Sequence, residues 1–192
     1  LNGTSVYRDF VELPSQIMEN WAYEKEYLDL WAKHYQTGET MPAELIEKIV
    51  AAKNYLAAYS NIRQLSFGLT DMAWHTLKEP YTGDVEAFEK ASMESTKVVP
   101  AIDGTAMATA FGHIFSGGYA AGYYGYKWAE MLDADAFAAF LETGNIYDKK
   151  TAEKYLIILQ SGGTVEPQKL YEDFRGKPAS IDALLVRDGI KK

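Results

Sequence analysis

Apolar residues near the beginning of the chain recur at the spacing of an α-helix. Four of them repeat at intervals of three and four residues: Phe10, Leu13, Ile17 and Trp21. This repeat predicts an amphipathic helix that buries the four side chains on one face. Pro14 lies inside the pattern, where its ring would free the carbonyl of Phe10 and bend the helix. The alternative is a helix that starts only at Pro14, since proline is favoured in the first helical turn.

Two further helices are predicted between residues 40 and 77. The second helix covers residues 40–59, and its inward face comprises Leu45, Ile49, Ala52 and Leu56. The third helix covers residues 61–77, and its inward face comprises Leu65, Leu69 and Met72. Both faces follow the periodicity that places residues three and four apart on one side of a helix.

Glycine, proline and capping residues divide the remainder of the chain into shorter helices. These are predicted over residues 84–97, 118–132, 133–143 and 148–160, with two more starting at Pro167 and Ser180. The segment 98–105 contains Pro100 and Gly104 and is predicted to be an irregular connector. No run of four or more residues alternates as a half-buried strand would. The pattern therefore predicts an all-α, multi-helical fold in one domain over residues 1–192.

The composition is typical of a globular protein, and it narrows the classes of partner. The 192 residues are 47% hydrophobic and 24% charged, with a formal net charge of −8. That charge argues against nucleic acid and against an anionic membrane surface, because both attract basic proteins. The chain has no cysteine, which excludes thiolate metal sites. No two of its three histidines, His34, His75 and His113, stand at i, i+4, so the sequence contains no HExxH motif.

The stretch from His113 to Trp128 is unusually rich in glycine and tyrosine. As a helix at about 100° per residue, it would carry Tyr119, Tyr123 and Tyr126 on one face. Phenol hydroxyls can donate hydrogen bonds to the oxyanion of a tetrahedral intermediate or orient a peptide backbone. The competing interpretation is a small-residue helix interface filled by aromatic rings. Composition alone leaves both interpretations open.

Three segments of the chain carry distinctive sequences. They read RDFVELPSQ at residues 8–16, FGHIFSGGYAAGYYGYKW at 111–128, and SGG, FRG and IDALL within 161–185. The first resembles the segment just after the HExxH helix in the thimet oligopeptidase and peptidyl-dipeptidase Dcp family. The second is similar to that family's substrate-binding segment, and the third to its C-terminal end. The amino-acid sequences of these segments most resemble the peptidyl-dipeptidase branch of the family.

The resemblance implies the C-terminal part of a helical zinc-peptidase catalytic domain that cleaves short peptides in a deep channel. In such enzymes two HExxH histidines and a more distant carboxylate hold zinc, and the resemblance puts that carboxylate at Glu12. The family's substrate- and oxyanion-contacting residues fall on His113, Tyr119 and Tyr126, with Tyr123 on the same face. The resemblance thus implies catalytic roles for Tyr119 and Tyr126 and substrate binding by all four residues.

The HExxH motif that the resemblance implies is expected before Leu1 and is absent from the chain. Because catalytic zinc needs about three protein ligands and an open position, the chain alone is expected neither to hold zinc tightly nor to hydrolyse peptides. The full protein is expected to remove C-terminal dipeptides from short peptides, as a dipeptidyl carboxypeptidase. The alternatives are an endo-oligopeptidase of the same family and a non-catalytic helical module that binds peptides.

The expected partners are short peptide substrates and the remainder of the catalytic domain, with neither nucleic acid nor a membrane among them. Cutting away neighbouring helices would expose apolar surface, so self-association of this chain is also expected. The absence of cysteine fits a cytoplasmic location, and a periplasmic location is the alternative.

Overall fold

Residues 4–191 are the residues that the computed structural model describes, and their regular structure comprises two short 3₁₀ helices, Glu94–Thr96 and Ala108–Ala110, and ten α-helices. They are α1 (Leu13–Trp21), α2 (Lys25–Trp31), α3 (Ala43–Ala52), α4 (Ala57–His75), α5 (Val85–Met93), α6 (Gly112–Phe115), α7 (Gly125–Leu141), α8 (Lys149–Ser161), α9 (Pro167–Arg175) and α10 (Asp182–Arg187). Within the described range, extended pairing is limited to an isolated bridge between Lys33 and Thr40. The predicted all-α fold is therefore confirmed. No helix in this range is long and apolar enough to cross a membrane.

The described residues up to Tyr55 and from Trp128 onwards form one compact unit, whose core is built around α1. The apolar face predicted for α1 is buried as expected: Phe10, Leu13, Ile17 and Trp21. The Trp21 ring packs edge-to-face against two rings of α7, at 4.7 Å from Phe137 and 5.1 Å from Phe140. Its indole nitrogen donates to the carbonyl of Ile146 at 3.1 Å. Edge-to-face packing and the satisfied indole N–H both favour a single arrangement of this core.

Pro14 lies in the first turn of α1, so the alternative of a late helix start is confirmed. The helix begins at Leu13, and the first intrahelical acceptor is the carbonyl of Glu12, which receives the N–H of Gln16 at 3.0 Å. The N–H that proline lacks would have no helical partner at this position. The helix is therefore not bent at Pro14.

The prediction of separate helices over 118–132 and 133–143 is wrong, because α7 is continuous from Gly125 to Leu141. Asp133 is buried inside the unit rather than exposed at a helix start. Its carboxylate accepts hydrogen bonds from Asn20 Nδ2 at 2.8 Å and Arg187 Nη1 at 2.5 Å. Burial raises the pKa of Asp133, and the neighbouring Arg187 charge opposes that rise. An acid inside a helix can thus be a tertiary partner rather than a cap.

The prediction of one helix over residues 40–59 is also wrong. Helix α3 ends at Ala52, and a left-handed residue, Leu56 with φ +56°, precedes α4. The face predicted to point inward is exposed: Leu45, Ile49, Ala52 and Leu56. The buried residue of α3 is Ile46 instead. Helix α2, which buries Leu28, was not predicted from the sequence.

Residues 56–127 form a second compact unit, with α4 as its longest helix. The buried residues of α4 are polar: Ser66, Thr70 and Asp71. The predicted inward face of Leu65, Leu69 and Met72 is 42–52% exposed, so this prediction is wrong in orientation. Periodicity identifies an apolar face but not what covers it, and here polar groups face the neighbouring segments of the unit.

Candidate active-site segment

Four aromatic side chains of the second unit form a cluster, which we call the aromatic cluster: His113, Tyr119, Tyr123 and Tyr126. The rings of Tyr119 and Tyr126 stack with centroids 5.1 Å apart and planes inclined by 19°. The rings of Tyr123 and Tyr126 are also 5.1 Å apart. The His113 ring lies 6.0–6.2 Å from the three phenol rings. The predicted site residues of this segment are therefore neighbours in space.

A compact turn, rather than the predicted helix, brings these rings together. His113 belongs to the short helix α6, Tyr119 and Tyr123 lie in the turns of residues 118–124, and Tyr126 lies in the first turn of α7. The prediction that the three tyrosines share one helix face is thus wrong, because the rings are neighbours but a turn, and not a helix, places them together. The backbone departs from a helix where Gly118 and Ala121 adopt positive φ values of +83° and +51°.

Backbone hydrogen bonds close the turn around the aromatic cluster. The N–H groups of Ser116 and Gly117 both donate to the carbonyl of Gly112, at 2.8 and 2.6 Å. The N–H of Tyr119 donates to the carbonyl of His113 at 3.0 Å, which ties the two ring-bearing segments together. These bonds give the segment a defined conformation despite its glycine content.

Apolar packing supports the ring of Tyr123. Its ring packs edge-on against Phe67 and Phe111, with centroid separations of 5.7 and 5.0 Å. Burial raises the pKa of Tyr123, as does Tyr126, while the charge of Arg63 opposes the rise. The hydroxyl therefore remains protonated at neutral pH and can donate a hydrogen bond.

Asp71, a buried acid that binds the backbone of this turn, was not predicted from the sequence. Asp71 is 1% exposed, and its carboxylate accepts the N–H groups of Ala121 and Tyr123, each at 2.9 Å. His75 Nδ1 lies 2.8 Å from Asp71 Oδ1 and 2.9 Å from the Asp71 carbonyl oxygen. Since both neighbours are acceptors, the ring proton is assigned to Nδ1. No sequence pattern marked Asp71 as buried, because the periodicity of its helix predicted Leu65, Leu69 and Met72 as the inward face.

Glu12, the predicted metal ligand, lies in the first unit and immediately precedes α1. Its side chain is partly buried, and Ser15 Oγ lies 2.9 Å from both Glu12 Oε2 and the Glu12 carbonyl oxygen, which share its one proton as acceptors. Such a bond orients a carboxylate in the manner typical of the outer shell of metal sites. Among residues 4–191, no three His, Asp or Glu side chains lie close enough together to hold a metal ion. Glu12 can therefore offer one ligand, and its role stays a prediction.

Comparison with known proteins assigns the class of the chain. A family model described as Peptidase family M3 matches residues 1–189, so the chain belongs to this peptidase family. It is 47% identical over 185 residues to oligopeptidase A of Escherichia coli (strain K12), which covers 95% of this chain and 27% of that protein. It is 39% identical over 192 residues to dipeptidyl carboxypeptidase of the same organism, covering 99% of this chain and 28% of that protein.

A more distant relative has the same coverage. Saccharolysin of Saccharomyces cerevisiae (strain ATCC 204508 / S288c) is 33% identical over 188 residues, covering 97% of this chain and 26% of that protein. The chain thus spans about a quarter of the length of the curated relatives it matches. The resemblance to the peptidase family is confirmed. The identities do not favour the dipeptidyl carboxypeptidase branch over the oligopeptidase branch.

Proposed function

We propose that the full protein to which this chain belongs is a zinc-dependent oligopeptidase, and that the aromatic cluster contacts its peptide substrates. The observation that carries the proposal is the convergence of three phenols and one imidazole, with each phenol ring 6.0–6.2 Å from the His113 ring. Several hydrogen-bonding aromatic groups that converge on a turn are typical of a site that orients a polar ligand. Membership of a peptidase family supports a peptide backbone as that ligand.

In this proposal Tyr119 and Tyr126 donate hydrogen bonds to the carbonyl oxygen of the scissile peptide. A donor placed where negative charge develops stabilises the tetrahedral intermediate more than the substrate. The parallel stack of the two rings limits their motion, which keeps both hydroxyls in position. His113 and Tyr123 hold the peptide backbone beside the scissile bond.

Glu12 is the residue of this chain that would hold zinc. Its carboxylate fits the donor class of a site completed by two histidines, and the hydrogen bond from Ser15 supports a fixed orientation. Zinc, when bound, polarises the peptide carbonyl and lowers the pKa of a water molecule. Because the chain has no HExxH motif, the remaining ligands and the general base belong to the rest of the full protein.

The second candidate is a dipeptidyl carboxypeptidase, which removes two residues from the C-terminus. The amino-acid sequences of residues 8–16 and 111–128 support this candidate, as does the 39% identity to a protein named dipeptidyl carboxypeptidase. The 47% identity to oligopeptidase A supports internal cleavage of short peptides instead. The two activities differ in their need for a free C-terminal carboxylate.

The test is hydrolysis of a matched pair of peptides by the full-length protein loaded with zinc. One peptide has a free C-terminus and the other is amidated, and the products are identified by mass spectrometry. Cleavage of both peptides at internal bonds supports the oligopeptidase. Release of dipeptides from the free peptide alone supports the dipeptidyl carboxypeptidase, and no cleavage of either contradicts the proposed peptidase function.

Variants of the same protein test the residue assignments. We expect Tyr126→Phe to lower kcat by about a hundredfold with a smaller change in KM, since it removes a donor used in the transition state. Tyr124→Phe is the matched control, because Tyr124 lies two residues before Tyr126, in the turn of residues 118–124, and outside the aromatic cluster. Glu12→Gln should lower the zinc content, as measured by metal analysis. A zinc content equal to that of the unaltered protein would exclude Glu12 as a ligand.

A further inference from the structure

Asp71 is a buried carboxylate that the proposed catalytic roles do not use. Its side chain is 1% exposed and is among the largest fully buried side chains of the described residues. Its two oxygens are divided between two backbone donors, since Oδ1 accepts from Ala121 N and Oδ2 from Tyr123 N, each at 2.9 Å. A carboxylate leaves water only when such donors replace its hydration. The two backbone donors of Asp71 therefore both lie in the turn between Tyr119 and Tyr126.

The two backbone donors need Asp71 as much as the carboxylate needs them. Ala121 has φ +51°, a left-handed conformation that an alanine adopts at a cost of about 1 kcal/mol. That conformation turns the N–H groups of residues 121 and 123 towards α4, where Asp71 receives both. Without an acceptor there, two partly buried N–H groups would be unsatisfied, and the turn would relax.

The clamped positions lie among the tyrosines of the aromatic cluster. Tyr123 is itself a donor to Asp71, while Tyr119 stands two residues before Ala121 and Tyr126 three residues after Tyr123. A change in the backbone at residues 121–123 therefore alters the separation of the rings that stack at 5.1 Å. Positions of catalytic groups matter steeply, because a misplacement of about 1 Å can lower a rate a hundredfold.

We infer that Asp71 is the positioning residue of the aromatic cluster: it fixes the ring positions through the backbone of residues 121–123 and touches no substrate itself. His75 supports it, because the imidazole Nδ1–H donates to the Asp71 carboxylate from one helical turn away. The inference rests on the proposed function of the cluster. It assigns a role in turnover to a residue that contacts the cluster only through the main chain.

A second buried carboxylate of the same unit provides a matched control. Glu89 of α5 is 8% exposed and accepts the N–H groups of Met107 and Ala108 at 2.8 and 2.5 Å. Glu89 therefore resembles Asp71, because each is a buried acid on a helix whose carboxylate accepts two backbone N–H groups. The donors to Glu89 lie outside the turn of residues 118–124. Replacing Glu89 therefore tests for a general loss of stability, whereas replacing Asp71 also tests for displacement of the aromatic cluster.

The experiment compares Asp71→Asn with Glu89→Gln in the full-length zinc protein. Each amide keeps the shape of the acid but replaces one acceptor oxygen by a donor, which breaks one backbone bond. The first readout is hydrogen–deuterium exchange of peptides covering residues 117–126. We expect Asp71→Asn to speed exchange there by about tenfold and to lower kcat by about tenfold, with a smaller change in KM. Glu89→Gln should leave the exchange of 117–126 unchanged and kcat within about twofold.

A double variant tests whether Asp71 acts through the tyrosines. If it does, Asp71→Asn should reduce kcat far less in a Tyr126→Phe background than in the unaltered protein, since one lost function cannot be lost twice. The inference would be overturned if the kcat reductions of the two single variants multiplied in the double variant. It would also be overturned if exchange at residues 117–126 were unchanged in Asp71→Asn, or if Asp71→Asn and Glu89→Gln had equal effects. Should Asp71→Asn fail to fold, Asp71→Glu replaces it, because the longer side chain keeps both acceptors but displaces the turn; unchanged kcat there would also overturn the inference.

Failure of the inference can be distinguished from failure of the proposed function. If the unaltered protein hydrolyses no peptide, the proposed function fails, while the exchange measurement still decides whether Asp71 holds residues 117–126. If the protein is active and Asp71→Asn retains full kcat, the proposed function stands and the inference fails.

Discussion

At the scale of single residues, Gly117 shows how closely the backbone is packed beside the aromatic cluster. A Cβ atom at Gly117 would lie 2.9 Å from His113 Cα and 3.1 Å from the carbonyl oxygen of Gly112. Both neighbours are backbone atoms, which cannot move aside as a flexible side chain can. At Gly112 itself, a Cβ atom would meet only Ser116 Oγ, at 3.5 Å, an ordinary contact. Close approach therefore requires glycine at position 117 but not at 112.

We expect Gly117→Ala to lower kcat of the full-length protein about tenfold and its stability by about 1–3 kcal/mol, because the added methyl group displaces the His113 backbone. Gly112→Ala should leave kcat unchanged and stabilise slightly, since alanine favours a helix over glycine. Steady-state kinetics and thermal unfolding measure both. Equal effects of the two variants would contradict the close approach at Gly117.

At the scale of elements, a buried ionic group joins three helices of the first unit. Asp133 on α7 accepts from Arg187 on α10 and from Asn20 on α1, and Arg187 Nη1 also donates to Asn20 Oδ1 at 3.1 Å. The Asp133 side chain is 3% exposed. Breaking such a group by removing one partner leaves an uncompensated charge in the interior.

We expect Arg187→Met to lower the stability of the protein by about 3 kcal/mol, because Asp133 would remain buried without its cation. Lys191→Met is the matched control: Lys191 pairs with Asp182 at 2.8 Å, but both side chains are largely exposed, so its loss should cost less than about 1 kcal/mol. Apparent melting temperatures compare the two. A small shift for Arg187→Met would show that the buried group contributes little net stability.

Elements could be predicted from the sequence where their partners are in the chain. The α1 face was predicted correctly because α1 buries Leu13 and Ile17 against helices of this same chain. The α4 face was predicted in the wrong orientation because periodicity cannot distinguish a core of this chain from a surface that something else covers. The continuity of α7 was not predicted because aspartate is a residue type that often caps a helix. Asp133 is instead inside the helix, where it forms a buried ion pair with Arg187.

The candidate site could be predicted in part. The family resemblance supplied the members of the aromatic cluster, and the structure brings those four side chains together. The arrangement of the four side chains could not be predicted by projecting the sequence onto a helix. It depends on the positive φ of Ala121 and on Asp71, an acid fifty residues away in the sequence. No local pattern connects Asp71 to Ala121, since their contact is made by the fold.

At the scale of the whole molecule, many large apolar side chains of the described residues are exposed. On α4 alone, Leu65, Leu69 and Met72 are 42–52% exposed. The chain also spans only about a quarter of its curated relatives. Exposed apolar rows of this kind mark surfaces that bind another surface.

We expect the isolated chain to self-associate, because its apolar faces would bury one another in the absence of other partners. Analytical ultracentrifugation should detect species larger than the 21.5 kDa monomer. The double variant Leu65→Glu, Leu69→Glu should shift the chain towards monomer. Gln36→Glu with Gln160→Glu adds the same two charges at exposed polar positions and should not. A monomer at all concentrations would contradict the expectation.

Helix α4 also sets a limit on engineering this chain by itself. A designer who optimised the isolated sequence for solubility would replace the leucines of its outer face with charged residues and fill the position of Asp71 with an apolar side chain. Each change follows sound design rules for an independent domain. Together they would yield a more soluble fragment that has lost both the exposed apolar face of α4 and the acid that binds the turn of residues 118–124.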